Sequence, residues 1–329
     1  EAATPKAPEK AGEFLLELGV EELPAADVDD ALAQLRTLAP QMFTDLRLSY
    51  KKLSCFATPR RLVLYATGVE PRQPDEEFVA KGPPAERAFD ADGNPTKAAQ
   101  GFARSRGVAV EDLIVADVDG GKYVTAQVKN EGQAATVVLQ EALPKLIADI
   151  KFNKSMRWNA SGISFSRPLR WIVALFDNII IPFEYAGVVS DNTTRGLRPH
   201  GSPELSVKDP AQYIGIMADQ NIFLNREERR ETVLDQITGL AESINGSIPD
   251  DQDLLDEVTN LVEAPMAFMG KFEEQYLALP RDVLVTVMRK HQRYFPVLND
   301  DGSLKPYFIG VRNGDPEHLD IVTKGNEHV

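Results

Sequence analysis

The sequence predicts an α+β fold with several domains, in which antiparallel sheets are packed against segregated helices. Two observations lead to this prediction. Short apolar runs come in pairs joined by turn residues, and amphipathic helices are grouped rather than placed between parallel strands. The length of 329 residues exceeds that of an ordinary single domain, so we expect two or three domains. A hydrophobic share of 43% with 26% charged residues is typical of a globular protein with a sizeable core.

The N-terminal segment predicts a β-α-β-β arrangement. Residues 14–18 predict a buried strand that ends before Gly19. A helix with one core face follows, because its apolar residues recur at steps of three and four. These residues are Val28, Leu32, Leu35, Leu38, Met42, Phe43 and Leu46. Pro40 lies inside this pattern and should bend or split the helix. Short strands are then expected at residues 53–57 and 62–67.

The next segment predicts a loop, a pair of short helices and a hairpin. Residues 71–84 are rich in proline and charge and predict a crossing loop. Two short helices are expected within residues 85–110, where Thr96 can cap the second helix and Gly107 can end it. Asp119-Gly120 between apolar runs predicts the turn of a β-hairpin.

The second half of the chain predicts further hairpins and a run of helices. An amphipathic helix is expected at residues 136–150. Asp177-Asn178 between apolar runs favours a hairpin. Asn225 followed by Glu228 matches a capping box that opens a helix. A last hairpin is expected around residues 300–302, where an Asp-Asp-Gly turn separates two strands.

These elements suggest three parts of the chain. Residues 1–12 mix Pro, Ala and Lys without apolar periodicity, so we interpret them as an interdomain linker or the edge of an expressed piece, not as a signal peptide. Residues 13–188 form the predicted N-terminal α+β region, with a helical insertion near residues 85–110. Residues 189–329 form the predicted acidic, helix-rich α+β region.

One stretch, residues 151–201, is basic in a chain whose formal net charge is −14. It contains both tryptophans and seven Lys or Arg residues against three acids. Basic residues interleaved with aromatic ones are typical of a surface that binds an anionic partner. Its arginines could bind phosphates through their planar guanidinium groups, with Trp or Tyr faces available for stacking. The candidate arginines are Arg157, Arg167, Arg170, Arg195 and Arg198.

A plainer interpretation of this stretch stays open. The arginines could be ordinary surface residues and the tryptophans, Trp158 and Trp171, core residues. A second basic cluster at residues 289–293 is explained by the helix dipole alone, since cations are favoured at the C-terminus of a helix.

The sequence carries no recognisable catalytic or metal-binding constellation. Cys55 is the single cysteine, and the four histidines are scattered, so neither a cysteine-clustered zinc site nor paired histidine ligands are predicted. Gly120-Gly121-Lys122 lacks the earlier glycine and the following Ser or Thr of a phosphate-binding loop. Glu21-Glu22 is the most suggestive acidic pair, and a solvated charge pair is its simplest explanation. No apolar run is long enough to cross a membrane.

A series of segments resembles the beta subunit of bacterial-type glycyl-tRNA synthetase and covers residues 13 to 329 in the order of that family. The segments are Phe14-Leu-Leu-Glu-Leu-Gly-Val-Glu-Glu-Leu-Pro24, Thr58-Pro-Arg-Arg-Leu62, Lys81-Gly-Pro83, Ala88-Phe-Asp90, Asp92-Gly-Asn-Pro-Thr-Lys-Ala-Ala99, Gly101-Phe-Ala-Arg-Ser105, Lys154-Ser-Met-Arg-Trp158, Phe165-Ser-Arg-Pro168, Arg170-Trp171, Glu257-Val-Thr-Asn-Leu-Val-Glu263, His291-Gln-Arg-Tyr-Phe-Pro296 and Gly325-Asn-Glu327. Two positions depart from the family pattern, which usually has His where this chain has Leu197 and Trp where it has Ala264.

The resemblance implies a noncatalytic N-terminal part of that beta subunit, which supports tRNA(Gly) binding and assembly of the enzyme. ATP, Mg²⁺ and glycine would bind the alpha subunit or a fused alpha region, so no cofactor is expected in this chain. Further partners would be an HD-like domain and an anticodon-binding domain of the complete beta subunit. Residues 189–329 would resemble part of the editing-type domain of the phenylalanyl-tRNA synthetase beta subunit. The expected location is cytoplasmic, or organellar if the protein derives from a plant or algal precursor.

Two other functions stay open. The chain could be an editing-type hydrolase of mischarged tRNA, as the phenylalanyl resemblance implies, although no nucleophile and base are visible. It could also be a purely structural module whose basic stretch faces another subunit or domain, because interface arginines and phosphate-binding arginines look alike in a sequence.

Overall fold

The structure is a computed structural model, which describes residues 3–90 and 92–329. Its helices are α1 (Ala25–Asp45), α2 (Ala85–Ala88), α3 (Lys97–Arg106), α4 (Ala135–Asp149), α5 (Pro210–Asp219), α6 (Arg226–Glu242), α7 (Gln252–Thr259), α8 (Arg281–Val287) and α9 (Leu319–His328). Its strands are β1 (Gly12–Val20), β2 (Lys52–Thr58), β3 (Arg61–Val69), β4 (Glu76–Pro84), β5 (Ile114–Val118), β6 (Gly121–Asn130), β7 (Leu169–Phe176), β8 (Ile179–Ile180), β9 (Glu184–Tyr185), β10 (Val188–Asp191), β11 (Thr193–Arg195), β12 (Glu204–Ser206), β13 (Pro265–Lys271), β14 (Phe295–Leu298) and β15 (Leu304–Asn313).

The described chain forms two compact units. Unit 1 comprises the residues up to Pro71 together with Thr136–Val329, and unit 2 comprises Arg72–Ala135. The predicted α+β class is confirmed, because the sheets are mostly antiparallel and helices occur between and beside the strands of the described chain. The divisions expected after residues 12 and 188 stay predictions, as does the likeness to the phenylalanyl editing-type domain.

A seven-stranded sheet organises the first half of unit 1, with the strand order β2-β3-β1-β7-β10-β9 and β8 paired with β7. Strand β1 lies between antiparallel partners: Glu17 is level with Val63 of β3 on one side and Val173 of β7 on the other. Almost all of β1 is buried, which explains its nearly continuous apolar sequence. The β-α-β-β start predicted from the sequence is confirmed, and Glu17 lies inside the sheet.

Helix α1 runs through Pro40 without being split, and a bend at this residue stays a prediction. The apolar face of the helix is buried on both sides of the proline, at Leu35, Ala39 and Phe43 among others. The free energy gained by burying this continuous apolar face exceeds the cost of the one backbone hydrogen bond that proline cannot donate.

A second sheet of unit 1 has the order β13-β15-β14 and is antiparallel throughout. Helices α6 and α7 supply one apolar cluster with this sheet, in which Ile237 and Leu254 pack with Phe295. A second cluster contains Phe308, with Leu284 of α8 and Val322 of α9 packed against it. The predicted capping box is confirmed in part, since the Asn225 side chain accepts hydrogen bonds from the first backbone N–H groups of α6.

Unit 2 is a three-stranded antiparallel sheet, in the order β4-β6-β5, with α2 and α3 packed on it. The loop predicted at residues 71–84 is wrong, because Glu76–Pro84 form β4. Its two prolines come at the end of an edge strand, where proline is tolerated because no ladder hydrogen bond is lost. The predicted cap at Thr96, the helix end at Gly107 and the turn at Asp119-Gly120 are all confirmed.

Candidate functional site

Two of the predicted arginines, Arg170 and Arg198, meet the acidic pair that follows β1. Arg170 Nε lies 3.3 Å from Glu21 Oε1, and Arg198 Nη1 lies 3.1 Å from Glu21 Oε2. Arg198 also forms an ion pair with Glu22, and these acids raise the pKa of its guanidinium. The Glu21-Glu22 pair therefore has arginine partners, and it neutralises part of the basic stretch from within the protein.

Arg195 is also paired with an acid. Its Nη2 lies 2.6 Å from Glu204 Oε1, across the antiparallel pair formed by β11 and β12. The two residues are directly opposite in the register, so the hairpin itself brings the charges together. Three of the five candidate arginines thus have a carboxylate partner in the folded chain.

The other two candidates, Arg157 and Arg167, are bonded to backbone carbonyls instead. Arg157 Nε donates to the Gly162 oxygen at 2.9 Å, and Arg167 Nη1 donates to the Ser166 oxygen at 3.0 Å. No salt bridge to an acid within 4.0 Å is found for either of them in residues 3–90 and 92–329. Their cationic groups are therefore not neutralised by a paired acid in that part of the chain.

Arg157 and Arg167 belong to residues 151–167, which we call the basic segment. It contains four Lys or Arg residues and no acid, and Lys151, Lys154 and Arg157 are exposed. The segment is held against α1 at its start, because the backbone N–H and oxygen of Lys151 both bond to the Gln34 amide at 2.8 Å. Within it, Met156 and Phe165 pair through two backbone hydrogen bonds. The protein thus presents an acid-free, anchored loop of cations.

Trp171 is not available to stack on a base, so that part of the predicted site is wrong. Its side chain is 6% exposed, and the guanidinium carbons of Arg60 and Arg61 lie 5.5 and 5.6 Å from its ring centroid. Gly19 makes room for the ring, because a Cβ there would come within 1.9 Å of it. Trp158 is half-buried.

Beneath the ring lies a buried ion network that the sequence reasoning missed. Arg61 Nε and Nη2 donate to the two oxygens of Glu263 at 2.7 and 3.3 Å, and its Nη1 donates to Glu17 Oε1 at 2.9 Å. All three side chains are fully buried. Thr58 Oγ1 adds a hydrogen bond to Glu263 at 2.6 Å. The arrangement connects β1 and β3 to the segment just before β13, in which Glu263 lies.

The two carboxylates of this network have opposite pKa shifts. Burial raises the pKa of Glu17 more than the Arg61 charge lowers it. Burial acts in the same direction on Glu263, but the charge of Arg61, together with hydrogen bonds from Arg61 and Thr58, overcomes it, so the pKa of Glu263 is lowered. Burial acts against the charge of Arg61, yet the two carboxylates raise the pKa of its guanidinium overall. The fold thus favours the ionised form of Glu263 and disfavours the ionised form of Glu17, so Glu263 is the stronger ionic partner of Arg61.

One signal could have revealed the network from the sequence. Glu17 and Arg61 are charges inside otherwise apolar strands, FLLELGV and RRLVLY, where a buried charge needs a partner. Its members also come from three of the family-like segments, those beginning at Phe14, Thr58 and Glu257. What the sequence could not supply was which strands are neighbours.

The two departures from the family pattern have structural explanations. Leu197 and Ala264 are both buried in the same apolar cluster, which also contains Trp171 and Val173. Ala264 is thus a packing position in the core of unit 1. At Leu197 an apolar side chain fills a core position, so no histidine role applies there.

Other candidate groups offer little chemistry in the described chain. No three His, Cys, Asp or Glu side chains of residues 3–90 and 92–329 lie close enough together to hold a metal ion. Burial raises the pKa of the Cys55 thiol to about 11, which leaves it unreactive near neutral pH. None of the helices within this part of the chain combines the length and the apolar character needed to cross a membrane.

The sequence pattern of one protein family, described as glycyl-tRNA synthetase beta subunit, matches residues 14–329. The chain belongs to this family. It is 43% identical to the glycine–tRNA ligase beta subunit of Moorella thermoacetica and 44% identical to that of Halalkalibacterium halodurans. These alignments cover 97% and 96% of this chain and 46% of each relative.

A plant relative extends the comparison. The chain is 44% identical to a protein of Arabidopsis thaliana named glycine–tRNA ligase, chloroplastic/mitochondrial 2, over 100% of this chain and 31% of that protein. The chain therefore spans less than half the length of these curated relatives.

Proposed function

We propose that this chain is the N-terminal part of a glycyl-tRNA synthetase beta subunit that helps to bind tRNA(Gly) and to assemble the enzyme. The complete enzyme would attach glycine to this tRNA with ATP and Mg²⁺, which would bind the alpha subunit or a fused alpha region. Membership of the family over residues 14–329 supports this proposal. No cofactor is assigned to this chain.

The acid-free basic segment is the observation that carries the tRNA part of the proposal. Binding to a phosphate backbone depends on cations that can replace condensed counterions, and a cation already paired with a carboxylate contributes less. Lys154, Arg157 and Arg167 have no acid in their own segment, whereas Arg170, Arg195 and Arg198 have carboxylate partners. We therefore assign the phosphate contacts first to Lys154, Arg157 and Arg167.

A structural role is the second candidate for Arg170, Arg195 and Arg198. Arg170 and Arg198 share Glu21 as a partner, so their charges already serve contacts within unit 1. Such a cluster suits an interface with the alpha subunit or with an HD-like or anticodon-binding domain. Charged groups at a protein–protein interface mainly fix how the two partners are aligned and add less to the affinity between them.

Charge reversal separates the two roles. In the complete enzyme, Arg195→Glu with Arg198→Glu should weaken assembly of the beta subunit with the alpha subunit and leave tRNA(Gly) affinity nearly unchanged. Lys154→Glu with Arg157→Glu should do the opposite. Sedimentation and filter binding measure the two properties separately. The assignment is rejected if the first pair abolishes tRNA binding while assembly is intact.

The noncatalytic part of the proposal has its own test. The chain alone should form no glycyl-adenylate with glycine, ATP and Mg²⁺, and it should not deacylate mischarged tRNA(Gly). Adenylate formation would show a catalytic site in this chain. Deacylation would favour the editing-type hydrolase instead.

The cellular location is also a proposal, and it rests on the relatives of this chain. The bacterial relatives fit a cytoplasmic enzyme, and the name of the Arabidopsis relative keeps an organellar location as the alternative. Fractionation of the source cells with an antibody against this chain distinguishes the two.

A further inference from the structure

The acidic pair Glu21-Glu22 is fixed in place through the backbone of two neighbouring segments. The Glu21 N–H donates to the Pro168 oxygen at 3.0 Å, and the Leu23 N–H donates to the Pro59 oxygen at 2.7 Å. The side chains of Glu21 and Glu22 are 32% and 44% exposed. The protein therefore holds two partly exposed carboxyl groups at this position.

Three arginines surround this acidic pair. Arg170 and Arg198 contact it as described above, and Arg60 Nε lies 3.9 Å from Glu22 Oε1. The three come from separate parts of the chain, and the side chains of Arg170 and Arg198 are more than half exposed. Without the acids, such a group of guanidinium groups would be well suited to bind phosphate.

The two carboxylates occupy this arrangement instead. A carboxylate and a phosphate bind a guanidinium group in the same forked geometry, so Glu21 and Glu22 compete with a phosphate for Arg170 and Arg198. The acids also reduce the charge of the cluster from three positive charges to one, and they repel an approaching phosphate. Because exposed ion pairs add little to stability, the main effect of these acids is on which anions can bind.

We propose that Glu21 and Glu22 are specificity-determining residues, which keep the phosphate groups of RNA away from Arg170 and Arg198. RNA is thereby confined to the basic segment, and the two arginines stay available for the subunit interface. Discrimination between partners often uses an unfavourable contact with the wrong one. Unrelated single-stranded RNA binds through any accessible cation, so the acids weaken its binding more than that of tRNA(Gly). The inference rests on the proposed function only for tRNA(Gly) as the retained ligand.

Binding of polyuridine and of tRNA(Gly) across a salt series tests the proposal with the 329-residue chain. Glu21→Gln combined with Glu22→Gln frees Arg170 and Arg198 for phosphates. We expect polyuridine to bind about tenfold more tightly at about 50 mM salt, with a log–log slope steeper by roughly 1–2, since each phosphate contact on a single strand contributes about 0.7. The gain for tRNA(Gly) should be smaller.

A control variant has the same charge change at another place. Glu111→Gln combined with Asp112→Asn also removes two adjacent, exposed acids, and these lie in unit 2. Neither acid has a salt-bridge partner within 4.0 Å in residues 3–90 and 92–329. The slope and affinity of this variant should stay close to those of the parent chain. An equal gain here would overturn the proposal, because net charge alone would explain it.

A fourfold variant shows whether the gain depends on the arginines. Adding Arg170→Gln and Arg198→Gln to the Glu21→Gln, Glu22→Gln variant should return the polyuridine slope to that of the parent chain. A gain that persists in the fourfold variant, or no gain in the double variant, overturns the proposal. Urea midpoints establish that each variant is folded. If the parent chain does not bind tRNA(Gly), the proposed function fails, and the polyuridine comparison still decides whether the acids exclude phosphate.

Discussion

At the residue scale, Arg61 joins distant parts of unit 1. Its guanidinium binds Glu17 of β1 and Glu263, which lies just before β13, and all three side chains are fully buried. Taking three charges out of water is expensive, and their mutual bonds repay that cost only while all three are present. The network is therefore sensitive to the loss of any one member.

Replacing Arg61 by Leu leaves two buried carboxylates without their cation. We expect the free energy of unfolding of unit 1 to fall by about 3–5 kcal/mol. Urea unfolding followed by tryptophan fluorescence measures it, because both tryptophans lie in unit 1. Arg195→Gln is the matched control: its ion pair is partly exposed, so the loss should stay below about 1 kcal/mol. Equal losses in the two variants would contradict the buried network.

The carboxylates of the network predict opposite pH dependences. The folded pKa of Glu17 is raised above its ordinary value of 4.5, so its ionisation lowers stability as pH rises above that value. The folded pKa of Glu263 is lowered, so its stabilising effect is present above 4.5 and is lost as pH falls through the folded pKa.

These signs give a measurable difference between two variants. The stability of Glu17→Gln relative to the parent chain should rise as pH increases above 4.5, whereas that of Glu263→Gln should fall as pH rises towards 4.5 from below. Urea midpoints at each pH measure both. Parallel pH curves for the two variants would show that the opposite shifts are wrong.

At the element scale, the sequence correctly predicted those helix ends and turns that depend only on neighbouring residues. The cap at Thr96, the left-handed Gly107 and the turn at Asp119-Gly120 depend on neighbouring residues, and each was predicted. Pro40 does not split its helix, and the loop predicted at residues 71–84 is wrong over Glu76–Pro84, because burial and strand pairing overrode local preference. Long-range partners decide such cases.

The buried network shows the same limit at the candidate site. Residues 17, 61 and 263 are far apart in the chain, and only the sheet order and the position of Glu263 bring them together. The basic stretch was visible from composition. Its division into paired arginines and an acid-free segment was not, because the sequence did not show that Glu21, Glu22 and Glu204 lie beside three of the arginines.

The N-cap of α6 carries an element-scale prediction. The Asn225 side chain accepts from the backbone N–H of Glu227 at 2.9 Å, in a helix of 17 residues. Asn225→Ala removes this bond and should lower the free energy of unfolding by about 1 kcal/mol. Asn225→Asp keeps an acceptor and should lose little. Urea unfolding compares them, and an equal loss in both would argue against capping.

At the scale of the whole molecule, the first and last residues of unit 2 lie next to each other. Arg72 pairs with Ala134, and the Gln73 backbone N–H donates to the Gln133 oxygen at 2.9 Å. Replacing Arg72–Ala135 by a short Gly-Ser linker should therefore leave unit 1 folded, with its urea midpoint changed by less than about 1 kcal/mol in free energy. Loss of the cooperative fluorescence transition would show that unit 1 needs the insertion.

The measurement that tests the central claim most directly is binding of tRNA(Gly) across a salt series. Two triple variants with the same charge change are compared: Lys154, Arg157 and Arg167 to Gln in one, and Arg170, Arg195 and Arg198 to Gln in the other. Between about 50 and about 200 mM salt, the first should bind more weakly than the parent chain, with a log–log slope shallower by roughly 2–3. The second should keep the slope of the parent chain. Equal slopes for the parent chain and the first variant, or a larger loss in the second, would contradict the assignment of phosphate contacts to the basic segment.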